Sequence, residues 1–293
     1  MMPNISAYVN EQANMISERL NVLLSENMPS PVLEAMKYSV SNGGKRIRPI
    51  LAIEFAKVCG GDEKSALDFG CAVEMIHTYS LIHDDLPCMD NDDMRRGKPS
   101  CHMAYGEDNA LLAGDALLTE AFGVLTISRN VPSENIIRAV SYLSSFAGIN
   151  GMVGGQVLDL QFEETKPTVD EILKMYSLKT CGLIKVACVL GCLTANDYNE
   201  EKINAAIDYA ENLGIAFQIQ DDILDIEGDS AFLGKPVGSD EKNDKSTLVK
   251  YFGLEKSKAL VKEYTDKAIY ALETFDETDV LKELAYMLVN RKN

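Results

Sequence analysis

Residues 203–226 read Ile-Asn-Ala-Ala-Ile-Asp-Tyr-Ala-Glu-Asn-Leu-Gly-Ile-Ala-Phe-Gln-Ile-Gln-Asp-Asp-Ile-Leu-Asp-Ile, and their periodicity decides the fold. Ile203, Ala206, Ile207, Ala210, Leu213, Ala216 and Phe217 return at three-and-four spacing, the mark of a helix with one face on a core. Leu67, Cys71, Met75 and Thr78 repeat the pattern upstream. Alternating β-branched runs joined by Asn-Gly or Asp-Gly turns do not occur, nor does a strand leading into a glycine-rich loop. Rossmann and P-loop architectures are thereby set aside. Helix starts are marked by the capping box Thr168-Val-Asp-Glu171, by Asp62 after Gly60-Gly61, and by Asn199 before Glu200-Glu201. Breaks fall at Asn42-Gly43-Gly44, Pro87, Gly97-Lys-Pro99, Asn130 to Pro132, Lys166-Pro167 and the polar stretch 229–245, which reads as a mobile lid. The expectation is an all-α fold, a single domain over 1–293 with ten or more helices around a central cavity.

Composition narrows the function. The 293 residues carry 28 Lys+Arg against 45 Asp+Glu, a formal charge of −17. A field this negative opposes nucleic acid, which is bound by basic surfaces that release counterions, so no nucleic-acid partner is expected. Hydrophobic residues at 46% and charged ones at 25% give the balance of a globular chain with a large core. No run of 18 apolar residues occurs, so no membrane span is expected. The N-terminus has neither a charged n-region followed by an apolar stretch nor the arginines of a transit peptide, which points to a soluble cytoplasmic protein. Seven cysteines without a C-x-x-C pair read as reduced core thiols.

The chemistry lies in two acidic clusters. In the quoted helix Asp221 and Asp225 stand 40° apart at 100° per residue, with Gln218 at 60° on the other side, so all three share one face of an apolar helix. Residues 84–93 hold five aspartates in ten positions: Asp84, Asp85, Asp90, Asp92 and Asp93. A single string of this kind is more often a solvated turn. Here the strongly apolar stretch Cys71 to Ile82 leads straight into it, where unpaired carboxylates are costly. Two such clusters suggest one cavity that holds hard cations on carboxylate oxygens, and magnesium suits it because it binds through a few carboxylates plus substrate phosphates. Lys45 and Arg48, read at the start of a helix, offer an anion site. Arg95 and Arg96 follow the first cluster; on a helix they diverge by 100° and address two anions. Lys179-Thr180, Lys235 and Lys245 are further candidates, although a lone base is ordinarily a solvated surface residue. His77 lies two turns before Asp84 on nearly the same face, as a hydrogen-bonded core residue or an anion contact.

Gly43-Gly44-Lys45-Arg46-Ile47-Arg48-Pro49, Leu81-Ile82-His83-Asp84-Asp85 through Asp90 to Arg95-Arg96-Gly97, Gly154-Gly155-Gln156-x-x-Asp159, Lys179-Thr180, and Phe217-Gln218-Ile-Gln220-Asp221-Asp222-x-x-Asp225 together resemble the motifs of the trans-isoprenyl diphosphate synthases (polyprenyl synthetases), most closely the bacterial farnesyl diphosphate synthase group. Ser239 stands where many relatives have Thr. The resemblance implies the isoprenoid synthase fold, a homodimer and three Mg²⁺ ions. It assigns isopentenyl diphosphate to Lys45, Arg48, His77 and Arg96. Magnesium falls to Asp84, Asp90 and Asp221, with Asp85, Asp222 and Asp225 in or near the shell. The allylic diphosphate falls to Arg95, Lys179, Thr180, Gln218 and Lys235. Tyr79, five residues before Asp84 and about 7.5 Å down the helix axis, with the small Ser80 beside it, would then be the floor that limits chain length. The implied product is farnesyl diphosphate, built from isopentenyl diphosphate with dimethylallyl and geranyl diphosphate. The alternatives are a C20 geranylgeranyl diphosphate synthase, a terpene cyclase or a non-catalytic regulatory subunit.

Overall fold

The computed structural model describes residues 4–25, 30–227 and 247–291. Lys235, Ser239, Lys245 and the lid expected at 229–245 lie outside the described residues. In chain order the helices are α1 (Ile5–Leu23), α2 (Pro31–Ser41), α3 (Ile47–Cys59), α4 (Glu63–Asp84), α5 (Cys101–Tyr105), α6 (Glu107–Leu125), α7 (Ser133–Ala147) and α8 (Met152–Glu164). They continue as α9 (Val169–Lys179), α10 (Cys181–Cys192), α11 (Glu200–Glu227), α12 (Leu248–Phe252), α13 (Leu254–Ala271) and α14 (Asp279–Val289). The start signals act as read. Asp62 accepts from the Ser65 amide at 2.8 Å, Asn199 from the Lys202 amide at 2.8 Å, and Thr168 and Glu171 form a reciprocal capping box.

The all-α expectation is met, and α10 is its axis. Every residue from Cys181 to Cys192 is buried, with α3, α4, α7, α9 and α11 packed around it. Its approach to α3 depends on Gly191, because a Cβ there would lie 2.3 Å from the Ala52 carbonyl oxygen. Phe55 of α3 meets Tyr209 of α11 edge-on at 5.4 Å, and the Tyr209 hydroxyl donates to the Leu281 carbonyl at 2.9 Å, tying α14 to the core. Cys71, Cys101, Cys181, Cys188 and Cys192 are buried in this packing, whereas Cys88 is exposed in the acidic loop. Among the described residues no single helix is long and apolar enough to cross a membrane; α9 and α10 pass that test only jointly, across a 45° bend.

Three local expectations are corrected. Arg95 and Arg96 are not on a helix: Met94–Arg95 (β1) pairs antiparallel with Lys98–Pro99 (β2). Arg96 and Gly97 form the turn at φ 53° and 76°, the positive values that two-residue hairpins demand. Lys45 precedes α3 rather than starting it, because Arg46 is the left-handed N-cap residue at φ 51°. Asp221, read as buried, keeps 38% of its side chain exposed, and the buried member of that cluster is Asp222.

Candidate active site

The first acidic cluster is folded by the end of α4. Asp84 closes the helix, Pro87 prevents its continuation, and the chain doubles back so that the Asp90 amide donates to the Asp84 carbonyl at 2.8 Å. Burial raises the Asp84 carboxyl to about 6; Lys179 opposes the shift, while neighbouring Asp90 and Asp85 add to it. Asp85 is buried and bound by Arg95, whose Nε lies 2.9 Å from Oδ1. The hairpin therefore aims Arg95 back at the cluster, and Asp92 adds a second carboxylate 3.6 Å from its guanidinium.

Opposite stand α8, α9 and α11. Lys179 ends α9 and pairs with Asp159 of α8 at 2.5 Å. This contact explains Gly155: a Cβ there would sit 2.3 Å from the Lys179 backbone nitrogen, so only glycine lets α8 approach, whereas a Cβ on Gly154 would meet the Ile149 carbonyl oxygen at 2.1 Å. From Thr180 a chain of hydrogen bonds crosses to α11. The Thr180 hydroxyl donates to Gln218 Oε1 at 2.8 Å, Gln218 Nε2 donates to Asp222 Oδ1 at 3.1 Å, and the Tyr176 hydroxyl donates to Asp222 Oδ2 at 2.5 Å. Gln218 is thus fixed by Asp222, the buried acid next to Asp221.

The basic residues gather around His77. The Arg96 guanidinium hydrogen-bonds the Gly43 carbonyl and packs on Gly44, where a Cβ would meet it at 2.8 Å. Arg48 leaves its Nε buried without a hydrogen-bond partner, which suits an anion. Burial, then the charges of Arg48 and Arg96, hold the His77 imidazole well below its usual range, so it is neutral at pH 7. Two participants escaped sequence reasoning. Arg46 is buried and ion-paired with Glu74 of α4. Arg291, just past α14, pairs with Asp221, and its guanidinium lies 4.1 Å from the Phe217 ring centroid. Burial lowers Arg291 to about 10, and its charge adds to the burial that lowers Lys45. Glu74 was visible as the lone charge inside an apolar run; nothing local marked Arg291.

Between these walls lies a cavity of about 480 Å³. Its lining combines polar side chains, Arg48, His77, Asp84, Lys179, Thr180 and Gln218, with apolar ones such as Leu160, Leu183 and Phe217. Tyr79, 8% exposed, closes part of the wall with its ring edge-on to His83 at 5.6 Å, and Ser80 is its neighbour there. Such a cavity takes an amphipathic molecule with an anionic head and a hydrocarbon tail. Among the described residues no three acidic, histidine or cysteine side chains form a ready-made metal cage. The donor chemistry nevertheless fits magnesium: hard carboxylate oxygens, one held near 6 by burial and like charge, with room for phosphate oxygens to complete a shell.

The polyprenyl synthetase family model matches residues 29–288. Among curated relatives, the farnesyl diphosphate synthase of Bacillus subtilis (strain 168) is 44% identical over 261 residues, 88% of each chain. The geranylgeranyl diphosphate synthase of Cyanophora paradoxa is 41% identical over 297 residues, covering 99% of this chain and 97% of its own. Among solved structures, the geranylgeranyl pyrophosphate synthetase of Pyrococcus horikoshii Ot3 superposes with a TM-score of 0.88 at 33% identity, over 98% of both chains. Cavity, motifs and relatives agree, and the chain belongs to the polyprenyl synthetase family of prenyltransferases.

Proposed function

We propose that the protein condenses isopentenyl diphosphate with dimethylallyl and then geranyl diphosphate to give (2E,6E)-farnesyl diphosphate. The observation that carries this reading is one cavity lined both by Arg48, His77, Asp84 and Lys179 and by apolar side chains, with Tyr79 in its wall. Lys179 and Arg95, each aimed by a carboxylate partner, face the allylic diphosphate and favour the charge that develops as its C–O bond breaks. Magnesium, when bound by Asp84, Asp90 and Asp221 with Asp85, Asp222 and Asp225 beside them, supplies Lewis-acid neutralisation of that diphosphate. Thr180 and Gln218 present oriented dipoles to the allylic cation. Lys45, Arg48, Arg96 and neutral His77 hold isopentenyl diphosphate so that its terminal alkene carbon attacks the cation. His77, held well below its usual range, is a poor proton acceptor, which leaves the departed diphosphate as the base that completes the reaction.

A C20 product is the second reading, favoured by relatives named as geranylgeranyl diphosphate synthases at comparable identity. Incubation with radiolabelled isopentenyl diphosphate and C5, C10 or C15 allylic partners, followed by product chain-length analysis, separates the two: a C15 end point supports the proposal and a C20 end point overturns it. The homodimer belongs to the same reading. Leu111 and Leu112 of α6 are 46% and 51% exposed, an apolar surface that suits a second copy. Sedimentation equilibrium showing only monomer at micromolar concentration would remove that part.

A further inference from the structure

We infer that Glu74 is a positioning residue, the buried counter-charge that holds the Gly43–Pro49 segment in the shape that binds isopentenyl diphosphate. The inference rests on the site reading above and adds to it a group that touches no substrate. Glu74 and Arg46 are each 3% exposed, and their Nη1–Oε1 distance is 2.7 Å. Arg46 also donates to the Val40 carbonyl, and its Nε lies 3.4 Å from Ser17 Oγ. Three anchors from three segments therefore grip one guanidinium.

That grip has a purpose visible in the backbone. Arg46 is a non-glycine residue at φ 51°, a left-handed conformation that crowds the Cβ of an L-residue. It also serves as N-cap of α3 without any side-chain capping bond. Neither feature persists unless the surroundings impose it. Lys45 immediately precedes this residue and Arg48 is the second residue of the helix it starts, so the direction of both basic groups follows from the left-handed turn at Arg46. Glu74 further attracts Arg48 and Arg96, which would otherwise repel each other across the site. Glu74 lies three residues before His77 on α4, so one helix face carries both the counter-charge and the imidazole.

The sign of the effect makes the inference testable. If Glu74 only added negative charge near a diphosphate, neutralising it would tighten isopentenyl diphosphate binding. If it positions, Glu74→Gln keeps the shape but frees Arg46, the binding-competent arrangement becomes a fraction of the population, and binding weakens in proportion. The expected result is a KM for isopentenyl diphosphate raised about tenfold, with the allylic KM and kcat within about twofold of wild type. Glu74→Asp, which restores the charge, should recover part of the loss. A tighter or unchanged KM for isopentenyl diphosphate, or an equal rise for both substrates, overturns the inference.

Should Glu74→Gln not fold, the double variant Arg46→Met/Glu74→Leu decides, because a buried ion pair replaced by apolar groups of similar volume is often neutral in stability. A folded double variant with the selective KM rise supports positioning. One with wild-type KM overturns it, and loss of fold in both variants makes Glu74 a fold residue and overturns it as well. Lys45→Ala is the control for the site itself. If it raises the isopentenyl diphosphate KM and Glu74→Gln does not, positioning fails and the site reading stands; if Lys45→Ala has no effect, both fail.

Discussion

Asp84 stands in a place that favours its neutral form. Its carboxyl is raised from the ordinary 3.8 to about 6, mainly by burial, so protonation stabilises the folded state. That contribution is fully present below about pH 4 and is lost as pH rises through 6. Without magnesium at pH 7.5, Asp84→Asn should therefore raise Tm by roughly 2–6 °C, and the gain should vanish near pH 4. The same variant should lower kcat by at least ~10²-fold, as expected for losing one preorganised electrostatic element. Thermal melts at the two pH values check the first claim, and a Tm gain independent of pH would contradict it. The basic residues separate by substrate. Lys45→Ala, Arg48→Ala and Arg96→Ala should raise KM for isopentenyl diphosphate more than for the allylic partner, while Arg95→Ala should do the reverse, since each removes a charge-assisted contact. Steady-state kinetics with each substrate varied in turn would show equal effects if the assignment is wrong.

Among the elements, the α8–α9 contact is the most exacting. Gly155→Ala places a methyl 2.3 Å from the Lys179 backbone nitrogen, so the helices must part and Lys179 must shift from Asp159. Urea unfolding should show a loss of about 1–3 kcal/mol, accompanied by a fall in kcat. Gly123→Ala in α6, with nothing within 4 Å of the added carbon, is the control and should gain about 0.5–1 kcal/mol. A loss in both variants would point to helix strain rather than the contact. The same element shows what a sequence reading reaches. Helices and caps were legible because they depend on neighbours within four residues, while on α11 the reading took Asp221 rather than Asp222 as the buried acid. The hairpin at Arg95–Lys98 was not, because two-residue strands leave no period to read. Glu74–Arg46 spans 28 residues and Arg291 meets Asp221 across the whole α11–α14 packing, so both pairs exist only once the helices have assembled.

At the scale of the whole molecule, the proposed function makes the cavity a ruler with Tyr79 as its stop. Tyr79→Ala should lengthen it and shift product towards C20 and beyond, which chromatography of the dephosphorylated alcohols would measure. An unchanged product would place the stop elsewhere along the wall. The net charge of −17 leaves the basic group of Lys45, Arg48, Arg96 and Arg291 as a local exception, drawn from α3 and its approach, the hairpin and the segment after α14. That last segment bears on how the protein should be handled. Arg291 is seated on Phe217 and Asp221, inside the ring of residues assigned to substrate. Any preparation that cuts the chain ahead of Arg291, or joins a tag directly to it, would give the kinetics of a site with an altered rim. Leaving the residues around Arg291 intact is thus part of defining the enzyme being measured.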